Sequence, residues 1–486
     1  MPDMTPDEFR KYGHRVVDWI ADYGDRVGEL PVRSQLAPGD VRGALPAHPP
    51  EHGESFDAVL ADLDRVVLPG VTHWQHPSYF AYFPANASGP AILGDLLSSG
   101  LGVQGMLWAT SPACTELEMV VVDWLAELLA LPADFTHAGT GGGTIEDSAS
   151  SASLVALLAA RHRASGGEVE RSGATGRQTV YVSSETHSSL EKAVRVAGIG
   201  ADNMRVVGVD ENLAMDAAVL DRAIVADVAA GAVPAMVCAT VGTTATGAVD
   251  PVRAIGEVCR RHGVWLHVDA AYAGVAAVCP EFRELNDGVA DYADSYVTDP
   301  HKWLLTNFDC SVFWVRDRGP LVGALSVLPE YLRNAATESG AVVDYRDWQI
   351  PLGRRFRALK LWSVLRWYGA AGLREHIRSD VESARRFAEL VAADDRFETV
   401  APPRLGLVCL RPRWERIAGV DAAAADELTA RLLVELNDSG ALYLSHAKVR
   451  GRTALRFCVG APATRWRHVE AAWERIRAGV AELADS

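Results

Sequence analysis

Apolar residues recur at helical spacing near the start of the chain. Phe9, Tyr12, Val16, Val17, Ile20 and Tyr23 share one face of a segment spanning 5–24. Thr5-Pro6-Asp7-Glu8 precedes them, a capping-box signature with proline at the first helical position, so an amphipathic helix is predicted. Residues 30–53, rich in proline and glycine, read as an extended arm. A helix on such an arm can dock its stripe on its own body or on another subunit, and the pattern fits both.

The middle of the chain alternates short apolar runs with helical stretches. Strands are predicted at 178–184, 204–210, 235–242, 264–270 and 295–298, and helices at 188–198, 214–229 and 251–262. That alternation implies a mostly parallel sheet covered on both faces. From about 373 the rhythm changes to a long helix (372–393), strands at 406–410, 442–446 and 453–459, and helices at 421–437 and 464–483. The expected organisation is therefore an N-terminal helical segment (1–90), a large α/β domain (91–372) and a small α+β domain (373–486).

Composition narrows the class. Of 486 residues, 49% are apolar, enough for a large core. With 47 basic and 63 acidic residues the net charge is −16, which argues against nucleic acid and against an anionic membrane face as partners. No basic start leads into an apolar core, and no apolar run nears the roughly 18 residues that span a bilayer. The expectation is a cytoplasmic protein. Seven scattered cysteines without a C-x-x-C pair read as small buried hydrophobes, not as disulfides or a metal centre.

Candidate chemistry gathers where strands should end. Asp269 closes the run before Ala270-Ala271-Tyr272, and Lys302 lies in Asp299-Pro300-His301-Lys302-Trp303. Ligands of parallel sheets bind beyond the carboxyl ends of the strands. A carboxylate and an amine placed there can hold opposite ends of one flat heterocycle. Pyridoxal 5'-phosphate (PLP) is the natural candidate, with the lysine on its aldehyde and the carboxylate on its pyridinium nitrogen. Gly139-Thr140-Gly141-Gly142-Gly143-Thr144 followed by Ser148-Ala149-Ser150 before a strong helix reads as a glycine-rich turn. That turn offers backbone N–H groups and hydroxyls to a phosphate, although the serines also fit as plain helix caps. His187, just after the strand 178–184, falls on the same sheet edge.

At these residues the chain resembles the aromatic-L-amino-acid decarboxylase family of group II PLP-dependent decarboxylases. The likeness runs nearly end to end. It includes Pro69-Gly70-Val71-Thr72-His73-Trp74, Tyr79-Phe80-Ala81-Tyr82-Phe83-Pro84, Ser111-Pro112-Ala113-Cys114-Thr115-Glu116-Leu117-Glu118, Thr186-His187-Ser188-Ser189, 267–274, 300–305 and 350–357. The resemblance implies the type I PLP-dependent transferase fold (aspartate aminotransferase-like): a seven-stranded, mostly parallel large domain, a small α+β C-terminal domain, and an obligate homodimer with exchanged N-terminal segments. It implies decarboxylation of tryptophan, tyrosine, phenylalanine or hydroxylated forms to the aryl-ethylamine and CO2. The roles it implies are Lys302 as Schiff-base lysine, Asp269 as pyridinium partner with Ala271 beside the ring, and His187 as stacking residue. Ser148, Ala149 and Ser150 would form the phosphate turn, and Thr244 would lie beside the ring and Asp269. His301 would precede the lysine at the active site, and Asp299 would lie next to the phosphate site. Tyr331 matches a tyrosine on a closing loop, here 326–340, that delivers a proton. Trp74, Tyr82, Phe83, Pro84, Ala85, Gln104, Met106 and Gly353 match the substrate pocket.

The chain departs from animal members in ways that matter. Asp299 stands for asparagine, and Glu146-Asp147 for glutamine and glycine just before Ser148, so negative charge accumulates where a phosphate is expected. Ala85 replaces threonine, Gln104 and Met106 replace isoleucine and phenylalanine, and Gly353 leaves room for a large ring. Two other activities stay in view. One is an aromatic aldehyde synthase that consumes O2, and retention of Tyr331 and His187 argues against it. The other is decarboxylation of a non-aromatic amino acid, which the aromatic and apolar pocket positions disfavour.

Overall fold

The computed structural model describes residues 3–174, 176–327 and 342–485. Its main sheet has seven strands. In chain order they are β1 (Gly142–Glu146), β2 (Gln178–Ser183), β3 (Met204–Val207), β4 (Val233–Thr240), β5 (Trp265–Asp269), β6 (Ser295–Thr298) and β7 (Ser311–Val315), in spatial order β1-β7-β6-β5-β4-β2-β3. Pairings β2/β3, β2/β4, β4/β5 and β5/β6 are parallel, while β7 runs antiparallel to both neighbours. Strands β1, β2, β5, β6 and β7 are buried along their whole length, as strands covered on both faces must be. The parallel strands are joined by the helices Ser189–Val196, Ala217–Ala229 and Val252–His262. Asp216 caps the second through the N–H groups of Ala218 and Val219, and Gly263 ends the third in the left-handed conformation.

Two of these strands are not visible in the sequence pattern. The stretch 139–144, read above as a glycine-rich turn, supplies β1 itself. Its glycines serve close packing: a Cβ at Gly141 would lie 1.8 Å from the Val315 carbonyl oxygen, and one at Gly143 would lie 2.3 Å from Val122 Cγ1. The phosphate-type turn therefore starts later, after Glu146. There Ser148 caps the helix Ala149–Ser165 by accepting from the Ser151 N–H. Seven of that helix's 17 residues are buried, and its apolar face packs against Val180, Met236, Cys238, Trp265, Val297 and Phe313. All seven cysteines are free and buried.

The described chain divides into two compact units. One comprises 85–385 and 401–408 and holds the seven-stranded sheet. The other comprises 1–84, 386–400 and 409–486, so the N-terminal segment and the C-terminal region share one unit. A second sheet has the order β10-β11-β9-β8, with β8 (Phe397–Thr399) antiparallel to β9 (Leu407–Pro412), and β10 (Ser445–Val449) antiparallel to β11 (Arg452–Cys458). Ala358–Ala393 is helical on both sides of a break at Gly369, and the part after the break is the long helix expected at 372–393. The N-terminal helix forms at Pro6–Arg26 with the full Thr5–Glu8 capping box. None of its residues is buried, and Phe9 is 61% exposed.

One buried ion pair ties the start of the large unit together. Arg354 and Glu118, both fully buried, meet through Nη2–Oε1 at 2.6 Å and Nη1–Oε2 at 3.0 Å. Glu118 Oε1 also accepts the Ile145 N–H of β1, and Arg354 Nη2 donates to the Ile145 carbonyl. Removing one partner leaves the other charge buried and uncompensated. Glu118→Ala is therefore expected to lower stability by about 3–5 kcal/mol, measured by chemical denaturation; a loss under about 1 kcal/mol would show that the pair is not structural.

Candidate active site

The carboxyl ends of β4, β5 and β6 lie side by side, and the charged residues of the sequence motifs are at that edge. Asp269 is the last residue of β5 and is buried. The chain turns immediately after it, and the Ala271 N–H donates to Asp269 Oδ1 at 3.0 Å. Burial pushes the Asp269 carboxyl above the ordinary carboxylate range, against the pull of Lys302 and of the Ala271 N–H. A second cation beside it would restore its charge.

Lys302 is placed by its neighbours. It belongs to a short helix, Pro300–Trp303, that follows β6. Trp303 is buried, stacks on Tyr272 with ring centroids 5.0 Å apart, and donates to Asp380 at 2.8 Å. His301 is buried too; its Nδ1 accepts the Cys310 N–H at 3.0 Å and its carbonyl accepts the Asn86 N–H at 2.8 Å. Between these anchors the Lys302 side chain stays partly accessible, and its Nζ lies 2.7 Å from Asp299 Oδ2. Asp299, unexplained by the sequence, is thus the ion-pair partner of the lysine. Burial raises its pKa, but Lys302 and then His301, whose Nε2 is 3.6 Å away, hold it below the ordinary range.

The other expected residues fall into three groups. Ser148 begins the helix Ala149–Ser165, whose first-turn N–H groups at Ala149 and Ser150 lack partners within the helix; Ser150 is exposed. Thr244 is exposed just past β4, where Gly242 takes φ +87° and passes so close to Ala273 that a Cβ would lie 2.6 Å from that residue's own. His187 is exposed; its Nδ1 lies 2.9 Å from the Ser189 hydroxyl, and its field reaches Asp269. Gln104 and Gly353 are neighbours: Gln104 Oε1 accepts the Arg354 N–H at 2.9 Å, and a Cβ on Gly353 would lie 3.0 Å from Gln104 Nε2. The Met106 carbonyl accepts the Arg346 N–H. Ala85 precedes Asn86, which is bound to the His301 carbonyl. Trp74, Tyr82, Phe83 and Pro84 belong to the other unit, where Trp74 stacks near Tyr82 at 5.9 Å and Arg456 lies over Phe83 at 5.2 Å. Tyr331 and most of its loop lie outside the described residues.

Sequence reasoning missed two features. The Asp299–Lys302 contact needed the short helix that brings residues three apart onto one side. The Glu118–Arg354 pair carried a readable signal: Glu118 stands on the buried face of the helix Pro112–Leu128, in line with Cys114, Val122 and Leu125.

A buried carboxylate short of a cation, a partly accessible amine and a hydroxyl-bearing helix start together suit a flat ring bearing an aldehyde, a basic nitrogen and a phosphate. The site is thus that of a PLP enzyme. The comparisons with known proteins agree. Residues 38–413 match the model of the pyridoxal-dependent decarboxylase conserved domain. The chain is 47% identical to phenylacetaldehyde synthase of Arabidopsis thaliana, covering 98% of this chain and 96% of that protein. It is 45% identical to tryptophan decarboxylase 2 of Oryza sativa subsp. japonica, covering 98% and 95%. A solved structure of Oryza sativa TDC with PLP and tryptamine superposes over 100% of both chains with a TM-score of 0.97 at 45% identity. The chain belongs to the pyridoxal-dependent decarboxylase family, and PLP is its cofactor.

The position of Lys302 makes a direct expectation. Lys302→Ala should remove the visible absorbance of lysine-linked PLP from the purified protein. A normal visible band in that variant would reassign the linking lysine.

Proposed function

We propose that this chain decarboxylates an aromatic L-amino acid to the aryl-ethylamine and CO2. The observation that carries the reading is the pairing of buried Asp269 with Lys302 at the carboxyl ends of β5 and β6, in a chain alike end to end with aromatic amino acid decarboxylases. Bound PLP supplies an electron sink for the bond to the departing carboxylate. The protein's part is positioning and charge. Lys302 holds the aldehyde carbon, and Asp269 holds a proton on the ring nitrogen, which completes the charge that its own burial disfavours. Ser148, Ser150, the N–H groups of Ala149 and Ser150, and Thr244 hold the phosphate, while His187 covers the ring. Asp299 steadies the Lys302 amine whenever that amine is free.

The substrate side rests on aromatic surface. Trp74 and Tyr82 remain 38% and 51% exposed, and four ring contacts link them with Tyr79 and Tyr443 into one cluster. Rings of that size, held open by a packed base, suit an aromatic side chain. Tyr331 is assigned the delivery of a proton to the substrate Cα, with His187 assisting. An aldehyde-forming activity has one specific support, the 47% identity to phenylacetaldehyde synthase, and Tyr331 separates the two. Tyr331→Phe should divert product from amine to aldehyde with O2 uptake, scored by mass spectrometry and an oxygen electrode. Unchanged amine yield and oxygen use would remove Tyr331 from the proton step, and aldehyde from the unaltered protein would favour the oxidative reading.

The working form is a homodimer. Each unit supports this separately. The N-terminal helix leaves Phe9 and Val17 exposed, and the helix Gly89–Leu101 exposes Leu93, Leu96, Leu97 and Leu101, a stripe at i, i+3, i+4 and i+8. Among the described residues no helix is long and apolar enough to cross a membrane, and no His, Cys, Asp and Glu cluster could hold a metal ion. We place the protein in the cytoplasm. Removing residues 1–30 should convert dimer to monomer with loss of activity, read by light scattering. A stable, active dimer without them would rule out the N-terminal helix as the docking element.

A further inference from the structure

Three strands line up three polar residues in one row beneath the candidate site. Glu146 on β1 pairs with Ser311 on β7, and Thr298 on β6 pairs with Val312. Continuing that register by one residue sets Asp299 opposite Ser311. Directly paired residues point to the same face of a sheet. All three are buried; the Ser311 hydroxyl leans on the Asp299 carboxylate and helps to hold it charged, while Glu146 Oε1 has no hydrogen-bond partner among the described residues. Two carboxylates and a hydroxyl give many acceptors and one hydrogen. A proton on one carboxyl supplies the missing donor. Asp299 is held ionised by Lys302, which leaves Glu146 as the seat of that proton.

The charges around Glu146 point the same way. Burial raises its carboxyl to about 7, opposed by Arg354 and Arg357 and assisted by Asp147 and Glu118. Arg354 is already committed to Glu118 at 2.6 Å, and Arg357 to Asp309 at 3.0 Å. Two residues after Glu146, Ser148 opens the helix assigned above to the phosphate. A dianion there disfavours a carboxylate at Glu146 further.

We propose that Glu146 is the proton-accepting group of the cofactor site: binding of the phosphate-bearing cofactor draws one proton from solvent onto its side chain. This rests on the reading that 148–150 hold the phosphate. The balance at Glu146 is one proton taken from solvent and one O–H bond made. Condensation of the Lys302 amine with the aldehyde, which releases one water, is common to the unaltered protein and to Glu146→Gln, so the difference between them counts the Glu146 proton alone. The sign follows from linkage. Affinity is greatest where Glu146 is already protonated and falls as pH rises through about 7.

The test is calorimetric titration of cofactor-free protein with PLP at pH 8, in buffers of differing ionisation enthalpy, which counts the protons taken up. The protein should take up more protons than Glu146→Gln, by about half to one per site. Between pH 6 and 8 its dissociation constant should worsen about five- to tenfold relative to that variant. Asp147→Asn, which removes only a minor influence on Glu146, should lower the proton count by less than Glu146→Gln does. Should Glu146→Gln fail to fold, pyridoxal without the phosphate replaces the variant: the unaltered protein should take up fewer protons with pyridoxal than with PLP. Equal counts in either comparison, with PLP bound through Lys302, overturn the role of Glu146 and leave the decarboxylase reading intact. Failure to bind PLP at all overturns both.

Discussion

The contact between Lys302 and Asp299 sets the terms for the rest of the large unit. A lysine that is to react must be accessible, yet it must also be held in one place, and a free four-carbon stem does neither. The chain solves this by burying everything around the amine and leaving only the amine. Trp303 is locked by Tyr272 and Asp380, His301 by Cys310 and Asn86, and Asp299 sits buried within 2.7 Å of Nζ. The buried carboxylate is tolerable only because the amine is there. The amine is aimed only because the carboxylate is there. Asp269 stands on the neighbouring strand with the same need for a cation, so a single lysine faces two buried acids. A protonated ring nitrogen beside Asp269 would settle that imbalance.

Much of this was legible in the sequence, and the reason is periodicity. Strands β2, β4, β5 and β6 are short apolar runs bounded by turn residues, and the helices between them carry regular stripes. Asp269 and Lys302 stood out because a charge at the end of such a run has no packing role. The resemblance to a known family then supplied roles that no pattern contains. What stayed hidden has physical causes. Strand β1 is built from glycines chosen for closeness to Val315 and Val122, and glycine carries no strand signal. The helix ahead of Gly369 was not foreseen, whereas the one after it was. Asp299 was noticed as an oddity, but its partner depends on one helical turn after a proline, a feature too short to show a period. Glu118 and Arg354 are 236 positions apart, and only the fold brings them together.

The electrostatic layout explains why the phosphate end and the ring end are handled so differently. At the proposed ring end, charge would meet charge: Asp269 for the nitrogen, Lys302 for the aldehyde, with Asp299 behind the lysine. At the proposed phosphate turn the chain itself supplies acidic side chains, Glu146 and the exposed Asp147. On the proposed assignment the attraction there would come from neutral donors, the hydroxyls of Ser148 and Ser150 and the N–H groups that begin the helix Ala149–Ser165, aided by that helix's dipole. Neutral donors act at short range and stay matched to one geometry, whereas a guanidinium would attract any anion in the cleft, a substrate carboxylate included. A reaction that expels a carboxylate gains from a site that does not hold a guanidinium for that carboxylate to bind. The acidic residues beside the phosphate turn cost affinity for the dianion. On this reading a proton on Glu146 limits that cost while the selectivity of the cleft against stray anions is kept.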